Sequence, residues 1–392
     1  VHFVRGGDET AGEQSVVTSL PRDLPHSPLG VTLRHPLAPA AEVPIAWPSS
    51  IRQPVRNDYP LLACLELGVR RLRVPASDVT NQGQRQRLTL LRDEGVQITA
   101  TWIWSDRLDL CEEVAHHRDL LAGFEVQVPG HPLPDEACLR AIQRCTTATN
   151  LPVTLAVLMP REAVSGKQHP RTRVGYRTTE LPALNDHLAG GGVRIDRVLC
   201  RVDADSSPWE SMDLGLELPA LSQVGAIDWA VEFTKPDEDD QVIRAAEAMM
   251  AAARCPGSRL YLEPLVDLDR TMDTPYGLLD RLSNPRPVFR AVRCLNTMLF
   301  GLSEPWQPVD VPAIEGARSR CLRGSSTTLW LLLPERDQHQ RASVALRHVR
   351  QVVPGAAAAR CVCLASATSR RLTLDDDEGT NLSGPTLLVF DS

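Results

Sequence analysis

Ala226-Ile227-Asp228-Trp229-Ala230-Val231-Glu232-Phe233 decides how this chain is read. Large apolar side chains stand at 227, 229, 231 and 233, and small or acidic ones at 228, 230 and 232. A period of two is the signature of a β-strand, with successive side chains on opposite faces. The apolar face is expected to pack against helices. The other face, Asp228, Ala230 and Glu232, then points inward, with Glu232 at the strand's C-terminal end.

Seven similar runs surround this one: Leu29–Arg34, Val69–Val74, Val96–Ile103, Leu121–Val128, Pro152–Leu158, Asp196–Asp203 and Arg259–Val266. Their starts are roughly 25 to 44 residues apart, a spacing that suits βα units with variable loops. Between them lie segments of helical character: Tyr59–Leu67, Gln84–Asp93, Leu108–Leu120, Pro134–Thr147, Pro208–Val224, Asp237–Arg254 and Pro285–Leu299. Gly68 and Gly95 stand where helices stop, as C-terminal caps do. Eight strands alternating with helices predict a closed parallel (β/α)8 barrel. An open doubly wound sheet is the alternative, but no GxGxxG follows the first strand. Gly190-Gly191-Gly192 precedes a strand and reads as a loop.

The rhythm changes after residue 300. Ala317–Leu322, Thr327–Leu333, Arg360–Ala365, Arg371–Leu374 and Thr386–Phe390 read as short strands, and Ala342–Val353 as a helix. The expected organisation is a polar N-terminal tail over 1–28, with one strand at Val1–Arg5, a barrel over 29–300, and a small all-β sandwich over 301–392.

Composition narrows the function. Of 392 residues, 43% are hydrophobic and 23% charged, which is ordinary for a globular protein. The net charge of −7 and the lack of any long basic block argue against nucleic acid as a partner. No apolar run is long enough to span a membrane. Ten cysteines are scattered without CxxC or zinc spacing, and read as buried thiols of a reducing compartment. This favours a cytoplasmic location, and no signal-peptide pattern is visible over the first 28 residues. Low lysine, high arginine and abundant Ala and Pro look like a GC-rich bacterial coding bias. No cofactor motif is present.

Barrel enzymes place their chemistry at the C-terminal ends of the strands. Strand parity puts Arg73, Glu125, Gln127, Arg201, Asp203, Glu232 and Glu263 inside. An interior this charged must be paired, because an unpaired buried charge is prohibitively costly. The deeper residues Arg73, Glu125, Arg201 and Glu263 suit a structural network. Glu232, alone at the mouth, suits a functional carboxylate.

At these residues the chain resembles the clan A glycoside hydrolases, retaining enzymes with a TIM barrel and a trailing β-sandwich. Trp229-Ala230-Val231-Glu232-Phe233 is similar to the family's W-x-x-E-F, which presents the nucleophile on strand seven. Glu66-Leu67-Gly68-Val69 with Leu72-Arg73 resembles the entry to strand two, whose Arg supports that nucleophile. Tyr276–Leu279, Asp280-Arg281 and Asn284-Pro285-Arg286-Pro287, then Phe289 and Ala291, look like the passage into the last helix. The resemblance is coarse, covers about residues 29–390 and rests on the order of the motifs.

It implies an acid/base Glu after strand four, in a run E-x-W-N-E-P. Here that run is Glu125-Val126-Gln127-Val128-Pro129-Gly130. Gln127 replaces the Trp, Val128 the Asn, and Pro129 the acid/base Glu. Retaining hydrolysis needs two carboxyls about 5–5.5 Å apart, and proline cannot donate a proton. Glu125 lies about 13 Å lower along the strand. Asp106, Asp203, Asp205, Asp267 and Asp269 sit after strand ends as candidate relocated acids, or as solvated and helix-capping residues.

The expected substrate-binding set is Arg73, Gln127, Asp203, Trp209 and Asp267, with Glu232 as the catalytic residue. Trp102 and Trp104 share the parity of Ile98 and Ala100 and so are expected to pack outward. His35, His131, Asp203 and Glu232 could ring the mouth as metal ligands, but no HxH or HExxH supports this and no metal is expected. His116 and His117 read as surface residues of a helix. The expected function is a glycoside-hydrolase-like protein that has lost its acid/base and binds a glycan or acts as a scaffold for a protein partner. The alternatives are an active retaining glycosidase or transglycosidase with a relocated acid, and a barrel using Glu232 as general base in unrelated chemistry.

Overall fold

The computed structural model describes residues 14–15, 23–33, 42–44, 52–54, 58–160, 172–217, 221–233, 235, 237–267, 276–280, 282–301, 305–335, 343–344, 346–354, 356, 358–373, 380–381 and 384–391. The strand expected at Val1–Arg5, His35 and Asp269 lie outside them.

Eight parallel strands close a barrel: β1 Leu29–Thr32, β2 Arg71–Pro75, β3 Gln97–Ile103, β4 Gly123–Pro129, β5 Val153–Pro160, β6 Ile195–Val202, β7 Val224–Glu232 and β8 Arg259–Glu263. They pair in sequence order, β8 with β1, and β5 with β6 to complete the ring. Their outward side chains, such as Val31, Leu72, Ile98, Val126, Leu155, Val198, Trp229 and Leu262, are buried in one core with the helices. The inward set includes Ala156, Leu199, Ala230 and Tyr261, which form a small cluster of their own. Period-two alternation therefore sorts helix-facing from lumen-facing residues, as read for β7.

Helices α1 (Tyr59–Glu66), α2 (Gln82–Asp93), α3 (Leu110–His116), α4 (Glu136–Thr149), α5 (Leu181–Gly190), α6 (Pro208–Glu217), α7 (Glu238–Ala253) and α8 (Pro287–Phe300) surround the ring. Their ends obey local rules. Asp135 accepts from the Cys138 N–H at 2.7 Å to start α4, and Asp237 accepts from Asp239 and Asp240 to start α7. Glu238, Asp239 and Asp240 add acidic charge where the helix dipole favours it. Gly68 and Gly95 stop α1 and α2 at φ of 70° and 89°.

Helix α5 was not expected. It lies between the fifth and sixth strands, where no helical segment was read. Its signals are weak but present: a proline in the first turn, and buried Leu181, Leu184 and Leu188. The triple glycine is the end of this helix and the turn beyond it. Before α5, Thr172–Val174 pairs antiparallel with the end of β5, and Tyr176 bridges to Cys200 of β6. β5 and β6 pair directly only at Thr154–Arg197 and Leu155–Val198. The inserted segment fills the gap above. Gly175 (φ 98°) makes this possible, since a Cβ there would sit 3.2 Å from the Leu199 carbonyl oxygen.

The C-terminal unit is a sandwich of unequal layers. A seven-stranded antiparallel sheet is built on β9 (Ala317–Arg323), β10 (Thr327–Pro334), β11 (Ala358–Cys363), β12 (Thr368–Thr373) and β13 (Thr386–Asp391). Gln307–Pro308 extends one edge. Gln14–Ser15 extends the other, so part of the expected N-terminal tail belongs to this sheet. Leu329, Leu331, Leu333, Leu387 and Val389 join the barrel's core. Trp330, Leu332, Leu388 and Phe390 face away, into a second core with Val344 and Val349. Val344 comes from a two-stranded pair, and Val349 from helix α9 (Leu346–Val352). All ten cysteines are unpaired, and burial pushes thiols such as Cys64 and Cys138 up to about 12.

An ion-pair cluster joins the two units. Glu247 of α7, 1% exposed, contacts Arg318 and Arg320 of β9 at 3.3 and 3.4 Å. Burial raises its carboxyl above the ordinary value of 4.5, against the lowering effect of both arginines. A carboxyl raised in the folded state contributes most to stability below its unfolded pKa, and that contribution falls as pH rises. Glu247→Gln is therefore expected to gain stability relative to wild type between pH values below 4.5 and neutrality. Urea denaturation at both ends of that range checks this, and the opposite trend would mean the ion pairs outweigh burial. A second expectation concerns the lumen. A Cβ at Gly30 would meet the Tyr261 ring at 2.6 Å, so Gly30→Ala is expected to destabilise the barrel by about 1–3 kcal/mol in the same assay.

Candidate active site

The lumen holds two tiers of charge separated by the Tyr261–Leu199–Ala156–Ala230 cluster. In the lower tier Asp228 of β7 is fully buried and receives Arg197 through bonds of 2.5–2.9 Å. It also accepts the Arg259 backbone N–H at 3.2 Å. This tier is a structural floor.

The upper tier centres on Arg73 of β2, 1% exposed. Its Nε and Nη2 donate to the two oxygens of Glu125 on β4 at 2.8 and 2.6 Å. Its Nη1 donates to Glu263 of β8 at 2.7 Å and to the Thr32 hydroxyl of β1 at 2.9 Å. Burial alone would lower the guanidinium pKa, but Glu125 and Glu263 outweigh it and hold the value above its ordinary level. Gln127 of β4 donates to Glu125 at 2.8 Å from above. The expected network therefore joins Arg73, Glu125 and Glu263.

Arg201, expected in the same network, has a different partner. It forms an ion pair with Glu232 across β6 and β7, both nearly buried. Glu232 is 3% exposed, so it is not the lone rim carboxylate that its position suggests. In the parallel ladder Glu232 lies directly across from Glu263. Two carboxylates thus sit side by side on adjacent strands, each held by its own arginine.

Arg244 of α7, unmarked by any motif, fixes the backbone here. Its guanidinium donates to the carbonyls of Glu232 (3.0 Å), Val202 (3.1 Å), Asp203 (2.9 Å), Ala204 (3.2 Å) and Ser206 (2.9 Å). These carbonyls belong to the last residues of β6 and β7 and to the loop that follows β6. Burial pulls its pKa down to about 10.

The other candidates are scattered. Pro129 ends β4 exposed, followed by Gly130 at φ 78°. Asp203 is exposed at the rim, 3.8 Å from Arg177. Asp106, Asp205 and His131 are exposed as well. Asp267 is engaged structurally: one oxygen accepts from the Gly277 N–H at 2.6 Å and the other from Arg286 at 2.5 Å. Trp209 lies beside two arginines. Arg254 lies 3.7 Å from its ring centroid and Arg320 of β9 lies 5.5 Å away, at the junction with the C-terminal sheet. Trp102 and Trp104 pack outward with Ile98 and Ala100. His117 is buried against Arg85, not on the surface. Among the described residues no group of three or more His, Cys, Asp or Glu could hold a metal ion.

Removing Arg73 tests the upper tier. Arg73→Met leaves Glu125 and Glu263 without their shared cation, and breaking a buried pair costs about 3–5 kcal/mol. A loss of that size in chemical denaturation is expected, and a loss near zero would show that the carboxylates find other partners.

No protein-family model matches the chain. No curated protein matches it either. Among solved structures, it is similar to a family 39 glycoside hydrolase from the gut symbiont Bacteroides cellulosilyticus WH2. That match has 12% identity and a TM-score of 0.64, covering 94% of this chain and 81% of the other. A family 30 endoxylanase from Clostridium papyrosolvens C71 aligns at 11% identity over 98% of each chain, with a TM-score of 0.48. At this identity the first likeness shows the fold alone.

Proposed function

We propose that this protein is a carbohydrate-directed, glycoside-hydrolase-like barrel that binds a glycan, or scaffolds a partner, without hydrolysing it. The observation that carries this reading is Pro129 at the end of β4. Clan A chemistry needs a proton donor there, facing a nucleophile on β7. The chain keeps the β7 carboxylate, here paired with Arg201 of β6, and lacks the donor. Asp106, Asp203 and Asp205 are exposed, and Asp267 is fully engaged. In this reading Glu232 and Gln127 supply acceptor and amide groups beneath a sugar, Asp203 supplies a rim acceptor, and Arg73 holds the floor.

The ladder pairing of Glu232 with Glu263 favours a second reading, an active retaining enzyme with a relocated acid. Adjacent strands lie about 4.8 Å apart, close to the carboxyl separation of retaining enzymes. Glu263 would then donate the proton that Pro129 cannot. Against it, Glu263 already accepts from Arg73 and is 1% exposed.

A panel of aryl glycosides with good leaving groups separates the two, because such substrates need little protonation. The non-hydrolytic reading expects no turnover by wild type on any of them. The second reading expects turnover that Glu232→Ala abolishes, by at least about 10³-fold. It also expects Glu263→Gln to slow poor leaving groups far more than good ones. Turnover that survives Glu232→Ala would sink both.

A further inference from the structure

Outside the barrel lumen, a cleft of about 150 Å³ lies among the loop after β6, the start of α7 and Arg318 of the C-terminal sheet. One buried acceptor that lines it has no donor, and a second, Glu247, is held by long contacts. Gln241 is 2% exposed. Its amide nitrogen donates to the Lys235 carbonyl at 2.9 Å, but its buried Oε1 has no hydrogen-bond partner. Glu247, 1% exposed, has partners only at a distance: Ser207 at 3.3 Å, Arg318 at 3.3 and 3.4 Å, and Arg320 at 3.4 Å. Charge-assisted hydrogen bonds normally run about 2.7–2.9 Å. Buried acceptors in folded proteins are almost always satisfied by protein, water or ligand. Arg244, on the same wall, cannot supply them, because it already makes five bonds to carbonyls.

The missing partner must therefore bring hydrogen-bond donors. Its charge is constrained too. The cleft's carboxylates, Asp205, Asp240 and Glu247, are matched by Lys235, Arg244 and Arg318, and Arg320 stands behind Glu247. A cation would add to a wall already balanced or positive, whereas hydroxyls bring donors without charge. The volume is about that of five waters, which suits one small polyol and not an oligosaccharide.

We propose that this cleft is a binding site for a neutral polyhydroxylated ligand of monosaccharide size, held by Gln241 and Glu247 and separate from the Glu232 site. It does not depend on what happens at Glu232, so the two fail separately.

Glucose and xylose serve as probes, with putrescine as a cationic control, in saturation-transfer NMR titrations of the full chain. Wild type is expected to bind at least one sugar saturably in the millimolar range. Gln241→Leu removes the unpartnered acceptor and should weaken binding roughly tenfold. Ser206→Trp, at an exposed cleft residue, should block it while sparing the core, and covers the case in which Gln241→Leu does not fold. Three outcomes overturn the proposal: no saturable binding of either sugar, sugar binding lost in Glu232→Ala but kept in both cleft variants, or binding of putrescine alone.

Discussion

Arg73, held between Glu125 and Glu263 in the middle of the barrel, is the constraint on which the rest of the structure depends. A guanidinium with 1% exposure has given up its water and must recover every hydrogen bond from protein. It takes them from β4, β8 and β1, so one side chain on β2 fixes the position of three other strands. An apolar lumen of equal volume could be as stable, but it would not dictate register. A strand slipped by one residue would turn Glu125 or Glu263 outward into the helix-packing core, leaving a buried charge on each side. The charged lumen therefore specifies closure more than it strengthens it. Gly30 belongs to the same solution, because Tyr261 beneath the Arg73 guanidinium occupies the space a side chain on β1 would need.

That constraint bears on function. A retaining pair needs one carboxyl that can hold a proton and one that stays ionised. Here Glu125 and Glu263 divide one arginine, and Glu232 has another. Each glutamate is fixed by a buried guanidinium. The arrangement suits holding negative charge in place and receiving hydroxyl donors. The bond from Arg73 to Glu263 also orders β8, so the lumen charges and the closure of the barrel are one network.

Much of this was legible in the sequence because strand parity is local. Asp228-Trp229-Ala230-Val231-Glu232 alternates within five residues, and the partition of lumen from helix-facing residues follows from that alone. The pairing of Arg73 with Glu125 and Glu263 follows once burial is granted. What the sequence could not give was distance between segments far apart in the chain. Trp209 sits just beyond a strand end, where sugar platforms occur, yet β9, more than a hundred residues later, supplies Arg320 beside its ring. Arg201 chose Glu232 over Glu263 by a geometry that parity does not encode. Helix α5 escaped notice because its neighbour Thr172–Val174 is a barrel insertion, which breaks the alternation of strand and helix that made the other helices visible.

Helix α7 shows the same limit most clearly. Gln241, Arg244 and Glu247 recur every three residues, a spacing that places them along one side of the helix. Read alone, a Gln-Arg-Glu stripe is a solvated face. In the fold it is largely buried, because α7 lies against the ends of β6 and β7, where the ladder stops and carbonyls lose their partners. Arg244 answers those carbonyls with all of its donors. Gln241 and Glu247, one turn to either side, are buried with it; Gln241 Oε1 is left without a donor, and Glu247 draws its donors from Ser207, Arg318 and Arg320. A helix that satisfies a barrel rim in this way creates an acceptor-rich wall beside it. The C-terminal sheet, through Arg318, closes that wall into a cleft.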